Sequence, residues 1–188
     1  MKTKLTLALA LLTLAAAAGL RAQPYITAST GTARIDAADY GTQSRRRDAL
    51  ALGYLFTDFL GAEASYFSIQ EARYPLAAPS GGPAIPTTLA VRQKLKGYTL
   101  GAMLRWNAFP GFTVFTRQAL AFSQTDLVAE QAASTVGRNY RNGSYQPSLG
   151  VSFRPFKGVP FSVGAEYIYV SMSSARIKST VLNASFGF

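Results

Sequence analysis

The strongest constraint on the fold is a two-residue alternation of apolar with small or polar side chains, which recurs in short runs along the chain from residue 25 to its end. Successive side chains of a strand point to opposite faces, so such a run encodes one apolar and one polar face. The clearest case is a hairpin. Leu50, Leu52, Tyr54 and Phe56 oppose Ala49, Ala51, Gly53 and Leu55; after Thr57, Asp58 and Phe59, Leu60, Ala62, Ala64 and Tyr66 oppose Gly61, Glu63, Ser65 and Phe67. Further runs over 97–106, 112–122, 145–153, 161–169 and 181–188 repeat the pattern, and the first, 25–34, is read with Ile26, Ala28 and Thr30 outward and Thr27, Ser29 and Gly31 inward. Eight strands result.

Between the strands, long and short connections alternate. Residues 35–47, with Asp36, Asp39, Gly41 and the triplet Arg45, Arg46, Arg47, show no apolar period and read as a loop. Residues 70–92, rich in Pro and Gly, and 123–144, with a tight turn expected at Asn142 and Gly143, read as long connections. The connections at 57–59, 107–111, 154–160 and 171–176 are short. Pro147 cannot donate to a ladder and should sit near a strand's rim. Long loops on one side and tight turns on the other are the pattern of a transmembrane barrel, so the expected fold is all-β: an eight-stranded antiparallel up-and-down transmembrane β-barrel.

Alternation alone does not say which face looks inward, and a secreted lipocalin-like barrel would put the apolar phase inside. Residue size favours the membrane reading. Gly53, Gly61, Gly97, Gly101, Gly150, Gly164 and Gly187 crowd the polar phase, which suits the narrow interior of eight strands. The apolar phase is banded: Phe56, Trp106, Phe112, Phe153, Phe161, Phe186 and Phe188 fall near the short turns, and Tyr66, Tyr98, Phe122, Tyr145, Tyr167 and Tyr169 fall higher, as two aromatic girdles would.

The start of the chain agrees with export. Lys2 and Lys4 precede an uncharged apolar run over 5–20, too short for the roughly 20 residues of a spanning helix, and Arg21, Ala22, Gln23 and Pro24 end it. Residues 1–22 are expected to be a signal peptide and 23–188 the barrel. The formal charge of +10 loses three with Lys2, Lys4 and Arg21. A basic exported chain meets anionic lipid sooner than nucleic acid. Neither Cys nor His occurs, which removes thiol chemistry, the usual general base and the commonest metal ligand.

Four charges lie mid-strand on the glycine phase: Glu63, Arg105, Arg117 and Glu166. Two of each sign in a narrow interior should pair, Glu63 with Arg105 or Arg117 and Glu166 with the other arginine, closing the lumen as a salt-bridged plug. A polar channel is the alternative, and eight strands leave little bore for one.

With these residues in place, the chain resembles the small eight-stranded outer-membrane β-barrel family that includes the barrel domain of outer membrane protein A, the opacity-type adhesins and small porin-like proteins. The more specific pieces are Phe115, Thr116 and Arg117, the run Gly164, Ala165, Glu166 and Tyr167, and the aromatic terminus. The resemblance implies that the four lumen charges form the interior network and that Phe186 and Phe188 end a strand which the barrel assembly machinery recognises. It also implies outer-membrane lipid as surroundings, while the peptidoglycan-binding domain of outer membrane protein A is not expected. The lipid A deacylases and palmitoyltransferases among such barrels need a His, and the outer-membrane proteases need Asp and His pairs, so no enzyme is expected. No cofactor is implied, and Asp36 with Asp39 offers fewer carboxylates than a Ca²⁺ site wants.

Two functions remain: a structural and surface-interaction barrel, and a small pore or transporter for ions or apolar solutes. Basic residues collect where strands descend from the outside: Arg45, Arg46 and Arg47; Lys94 and Lys96 after Arg92; Arg176 and Lys178. They are expected either to form a lipopolysaccharide-binding ring or to be solvated rim charges.

Overall fold

The computed structural model describes residues 23–37, 41–75, 90–131, 134–156, 158–172 and 175–188. Eight strands follow in order: β1 Gln23–Ala37, β2 Gly41–Leu55, β3 Leu60–Pro75, β4 Ala90–Phe109, β5 Phe112–Gln131, β6 Ser134–Phe153, β7 Phe161–Ser171 and β8 Ala175–Gly187. Each pairs antiparallel with its neighbour, and β1 with β8 closes the barrel. Closure pairs every strand on both sides through the lower part of the barrel, the condition for crossing a bilayer with strands.

The outward phase carries a belt of exposed apolar side chains, with Leu52, Leu100 and Leu182 each at least 60% accessible. Water would not tolerate so continuous a patch, so the belt faces hydrocarbon. In register, Tyr66, Tyr98 and Phe122 form one row above it, the first two rings 5.2 Å apart. Phe112 and Phe153 pair below it at 4.6 Å, near Phe161 opposite Phe186.

At the lower end the turns are tight. The Thr57 hydroxyl accepts from the Leu60 amide at 3.0 Å, and Gly111 reaches φ 82°, where a Cβ would be strained. The chain end is tied down as well: the Gly187 amide donates to the Pro160 carbonyl at 2.8 Å and Phe188 to Pro24 at 3.0 Å.

The upper end departs from the sequence expectation. Residues 35–47 are not a loop, because β1 runs to Ala37 and β2 starts at Gly41. Most of 123–144 is also strand, with Asn142 and Gly143 paired to Ser123 and Phe122 rather than turning. The ends of 70–92 belong to β3 and β4, after a bulge between Ile69 and Ala72 that brings Ala72 and Tyr74 back inside. Residues 76–89 lie outside the described residues.

The upper strands form two sheets rather than one tube. Pairing of β2 with β3 stops at Arg47 opposite Ile69, and pairing of β6 with β7 stops at Ser148 opposite Ile168. Above these seams, β7-β8-β1-β2 faces β3-β4-β5-β6 across an apolar core containing Ile35, Ile177 and Val170 on one side and Ile69, Leu95 and Tyr74 on the other. Two sheets packed on an apolar interface are a sandwich. Pro147 sits mid-strand in β6, one residue above the last β6–β7 pair, where β6 has a neighbour on one side only and a missing N–H costs least.

Candidate functional site: the barrel interior and its outer rim

Below the apolar core the interior turns polar, and one arginine organises it. Arg117 on β5 places Nε 3.1 Å from Glu63 Oε1 on β3 and donates through Nη1 to Glu166 on β7. A guanidinium is a planar fork of donors, so it can hold two carboxylates where an ammonium offers only a point charge. The remaining carboxylate capacity is used by Tyr25, whose hydroxyl donates to Glu63 at 2.9 Å, and by Ser148 and Asn183, which donate to Glu166. Arg117 also stacks over the Phe115 ring at 4.6 Å.

Glycines make the room. A Cβ on Gly53 would run into the Tyr25 ring, and one on Gly150 into Phe115. The two aromatics that flank the ion cluster therefore lie against strand positions bare of side chain.

Arg105 does not join this cluster. Its side chain lines the cavity beneath it, and Arg117 serves both carboxylates alone. The second interior cation is Arg47, assigned from sequence to the outer rim. It points inward, is 2% exposed, reaches Gln146 at 3.5 Å and stacks on Phe67 at 4.6 Å. Arg47, Arg117, Glu63 and Glu166 all line one small cavity of about 40 Å³. Around this small cavity the charge balances, two of each sign, with Arg47 where Arg105 is expected. Parity could have found it, since Arg47 shares the phase of Ala49, Ala51 and Gly53; reading 35–47 as a loop removed the parity.

Lys94, Arg46, Arg176 and Lys178 point outward and are exposed, and Lys96 points the same way but is half-buried. Arg45 is half-buried and spans the β2–β3 seam, donating Nε to the Glu71 carbonyl at 2.8 Å. Arg46 pairs with Asp48 at 2.9 Å. Register adds two cations that sequence reading missed: Arg34 lies opposite Lys178, and Arg141 lies opposite Gln124, itself opposite Lys96. Asp36 accepts from the Thr42 hydroxyl at 2.7 Å and from Arg34 Nε at 3.2 Å, which hold its carboxyl below the usual range. Asp39, too few with Asp36 for a Ca²⁺ site, and residues 1–22, where a signal peptide is expected, lie outside the described residues. Phe186 and Phe188 are exposed at the lower rim.

Over residues 5–188 the sequence matches the family described as outer membrane protein β-barrel domain. The chain belongs to that family. As an outer-membrane β-barrel it lies in the bacterial outer membrane, the compartment expected from its banded strands. Solved structures of low identity share the fold. The attachment invasion locus protein Ail of Yersinia pestis, in complex with the heparin analogue sucrose octasulfate, superposes with a TM-score of 0.63 at 15% identity, covering 89% of this chain and 99% of that one. Neisserial surface protein A gives 0.61 at 15% identity, covering 88% and 97%. The N-terminal barrel domain of Pseudomonas aeruginosa OprF gives 0.53 at 14% identity, covering 88% and 97%. A comparison with curated protein sequences yields no match.

Proposed function

We propose that this outer-membrane barrel is a non-catalytic surface protein with a closed bore, whose extracellular rim engages anionic surface glycolipid. The observation that carries the reading is the pairing of Arg117 with both Glu63 and Glu166 beneath an apolar core, which among the described residues sets ion-paired and apolar side chains across the bore. Such a core excludes hydrated ions, because each would shed its water without a replacement ligand.

Residues 1–22 serve as signal peptide, and the strand ending at Phe186 and Phe188 is what the assembly machinery reads. The rim cations Arg46, Lys94, Lys96, Arg176 and Lys178, with Arg34 and Arg141, sit just above the aromatic row where lipopolysaccharide phosphates lie. Arg45 and Arg47 drop out of that ring, one bound to the Glu71 carbonyl and the other inside the barrel. The sulfated heparin analogue on Ail supports a polyanion-binding surface in a barrel of this shape.

Conductance of the refolded protein in planar bilayers tests the closed bore. Silence is expected; steady open-channel current would establish the pore reading instead. Deleting Phe188 should leave an exported chain that folds poorly in the outer membrane, and normal heat-modifiable migration of that variant would refute the role assigned to it.

A further inference from the structure

Beneath the ion cluster the barrel opens downward into a cavity of about 1000 Å³, with the turns, Gln23 and Phe188 around its mouth. Leu55, Met103 and Phe115 supply apolar wall, and Arg105 and Arg154 stand beside them. Neither arginine has a carboxylate within ion-pair distance among the described residues, and Arg105 Nε is buried without a hydrogen-bond partner. Asp58 is the one acidic residue lining the space, against Arg105, Arg154 and Arg117, the last already paired with Glu63 and Glu166.

The two arginines stand on anchored backbone. The Arg105 amide donates to the Phe59 carbonyl at 2.9 Å across to the β2–β3 turn, and the Arg154 amide donates to Gly111 at 2.8 Å. A structural role would have paired Arg105 with an acid, as Arg117 is paired. Instead it is held ready, with a donor unused, at the wall of a space large enough for a small molecule.

We propose that this vestibule binds an amphipathic oxyanion from the periplasmic side, its phosphate or carboxylate on Arg105 and Arg154 and its apolar body against Met103, Phe115 and Leu55. Guanidinium forks match both oxyanions, and a recess with an excess of positive charge concentrates them. The oxyanion could reach the mouth as a soluble periplasmic phosphate or as the headgroup of an inner-leaflet phospholipid. The site is independent of the outer rim and goes beyond the surface role.

The test is calorimetric titration of the folded full chain, in phosphatidylcholine nanodiscs, with phenyl phosphate and with inorganic phosphate. Phenyl phosphate should saturate, and inorganic phosphate should bind at least about tenfold more weakly for want of an apolar body. R105Q and R154Q should each weaken phenyl phosphate on the order of tenfold, whereas D58N should tighten it, a gain that misfolding cannot imitate. Replacing part of the lipid with phosphatidylglycerol distinguishes the sources: competition identifies a lipid headgroup, unchanged binding a soluble anion, and both support the site. The proposal is overturned if phenyl phosphate does not bind, or if R105Q and R154Q, migrating as folded barrels, bind it as the parent does.

Discussion

Along β8 one inward parity carries Ser185 and Asn183 low in the barrel and Ile177 and Ala175 at its top, while the outward parity changes from Phe186, Ala184 and Leu182 to Lys178 and Arg176. The backbone alternates throughout without slipping; only the chemistry exchanges faces. On β4 the same exchange falls between Lys96 and Tyr98 outside, and between Leu95 and Thr99 inside. In the lower region the solvent outside is lipid, so the hydrophobic effect cannot drive side chains inward and the interior is stabilised by directed charge and hydrogen bonds. In the upper region the solvent is water, and burial of Ile35, Ile69, Leu95 and Ile177 holds the two sheets together. One chain thus contains a membrane barrel and, above it, a sandwich with the packing logic of a soluble protein.

The largest effects should separate the two regions by chemistry. Replacing Arg117 with Met strands two carboxylates in the lower interior, and removing one partner of a buried ion pair typically costs about 3–5 kcal/mol. Neutralising Glu63 alone, as E63Q, should also destabilise by a few kcal/mol. The triple variant E63Q/R117M/E166Q should recover part of the loss, because Arg117 is removed together with both its carboxylates and Arg47 is the buried charge that remains. Urea unfolding in lipid vesicles, followed by heat-modifiable migration, reads both; additive losses in the triple variant would dismiss the network. In the upper region I177A, at a position 2% exposed, should cost about 2–4 kcal/mol as a core cavity does. Its loss should persist in zwitterionic detergent as in lipid, since that contact never meets hydrocarbon. A cost that vanished with the bilayer would mean the core belongs to the membrane zone.

A smaller effect is expected at the junction of ring and strand. G53A places a Cβ in the Tyr25 ring and should cost about 1–3 kcal/mol through overpacking. Pairing it with Y25A should reverse the sign, a double-mutant cycle that would be flat if Gly53 served only backbone freedom.

How much of this was legible beforehand follows from the same division. Strand count, closure, outward belt and aromatic rows could be read because lipid outside and small residues inside give every lower strand one signature. Residues 35–47 and 123–144 could not, since above the membrane the apolar phase moves inside and is diluted by Ala33, Ala37, Ala121 and Thr125. A reader following one phase sees the pattern end there. Arg47 shows the consequence: a loop has no parity, so reading 35–47 as one puts Arg47 on the rim, whereas its strand parity, shared with Ala49 and Ala51, points inward. That Arg117 alone would hold both carboxylates depends on side-chain reach across the lumen from β5 to β3 and β7, which strand spacing does not encode.

The mildest prediction marks where the two regions meet. Lys94 and Lys96 lie outward immediately above Tyr98, beside Asp126 and Gln124, at the height where lipid gives way to water. Each cation near an anionic surface contributes on the order of 1 kcal/mol, so K94Q/K96Q should weaken lipopolysaccharide binding by roughly 2 kcal/mol at low salt and by less as salt rises. Arg141, two strands away at the level of Lys96, should add to them, whereas replacing Arg45 should leave binding unchanged, because its guanidinium is already engaged by the Glu71 carbonyl. The measurement is titration of refolded barrel with lipopolysaccharide at two ionic strengths. Equal binding by K94Q/K96Q and parent at low salt would reduce the rim to solvated charges, and the boundary would then be set by the aromatic row of Tyr66, Tyr98 and Phe122 alone.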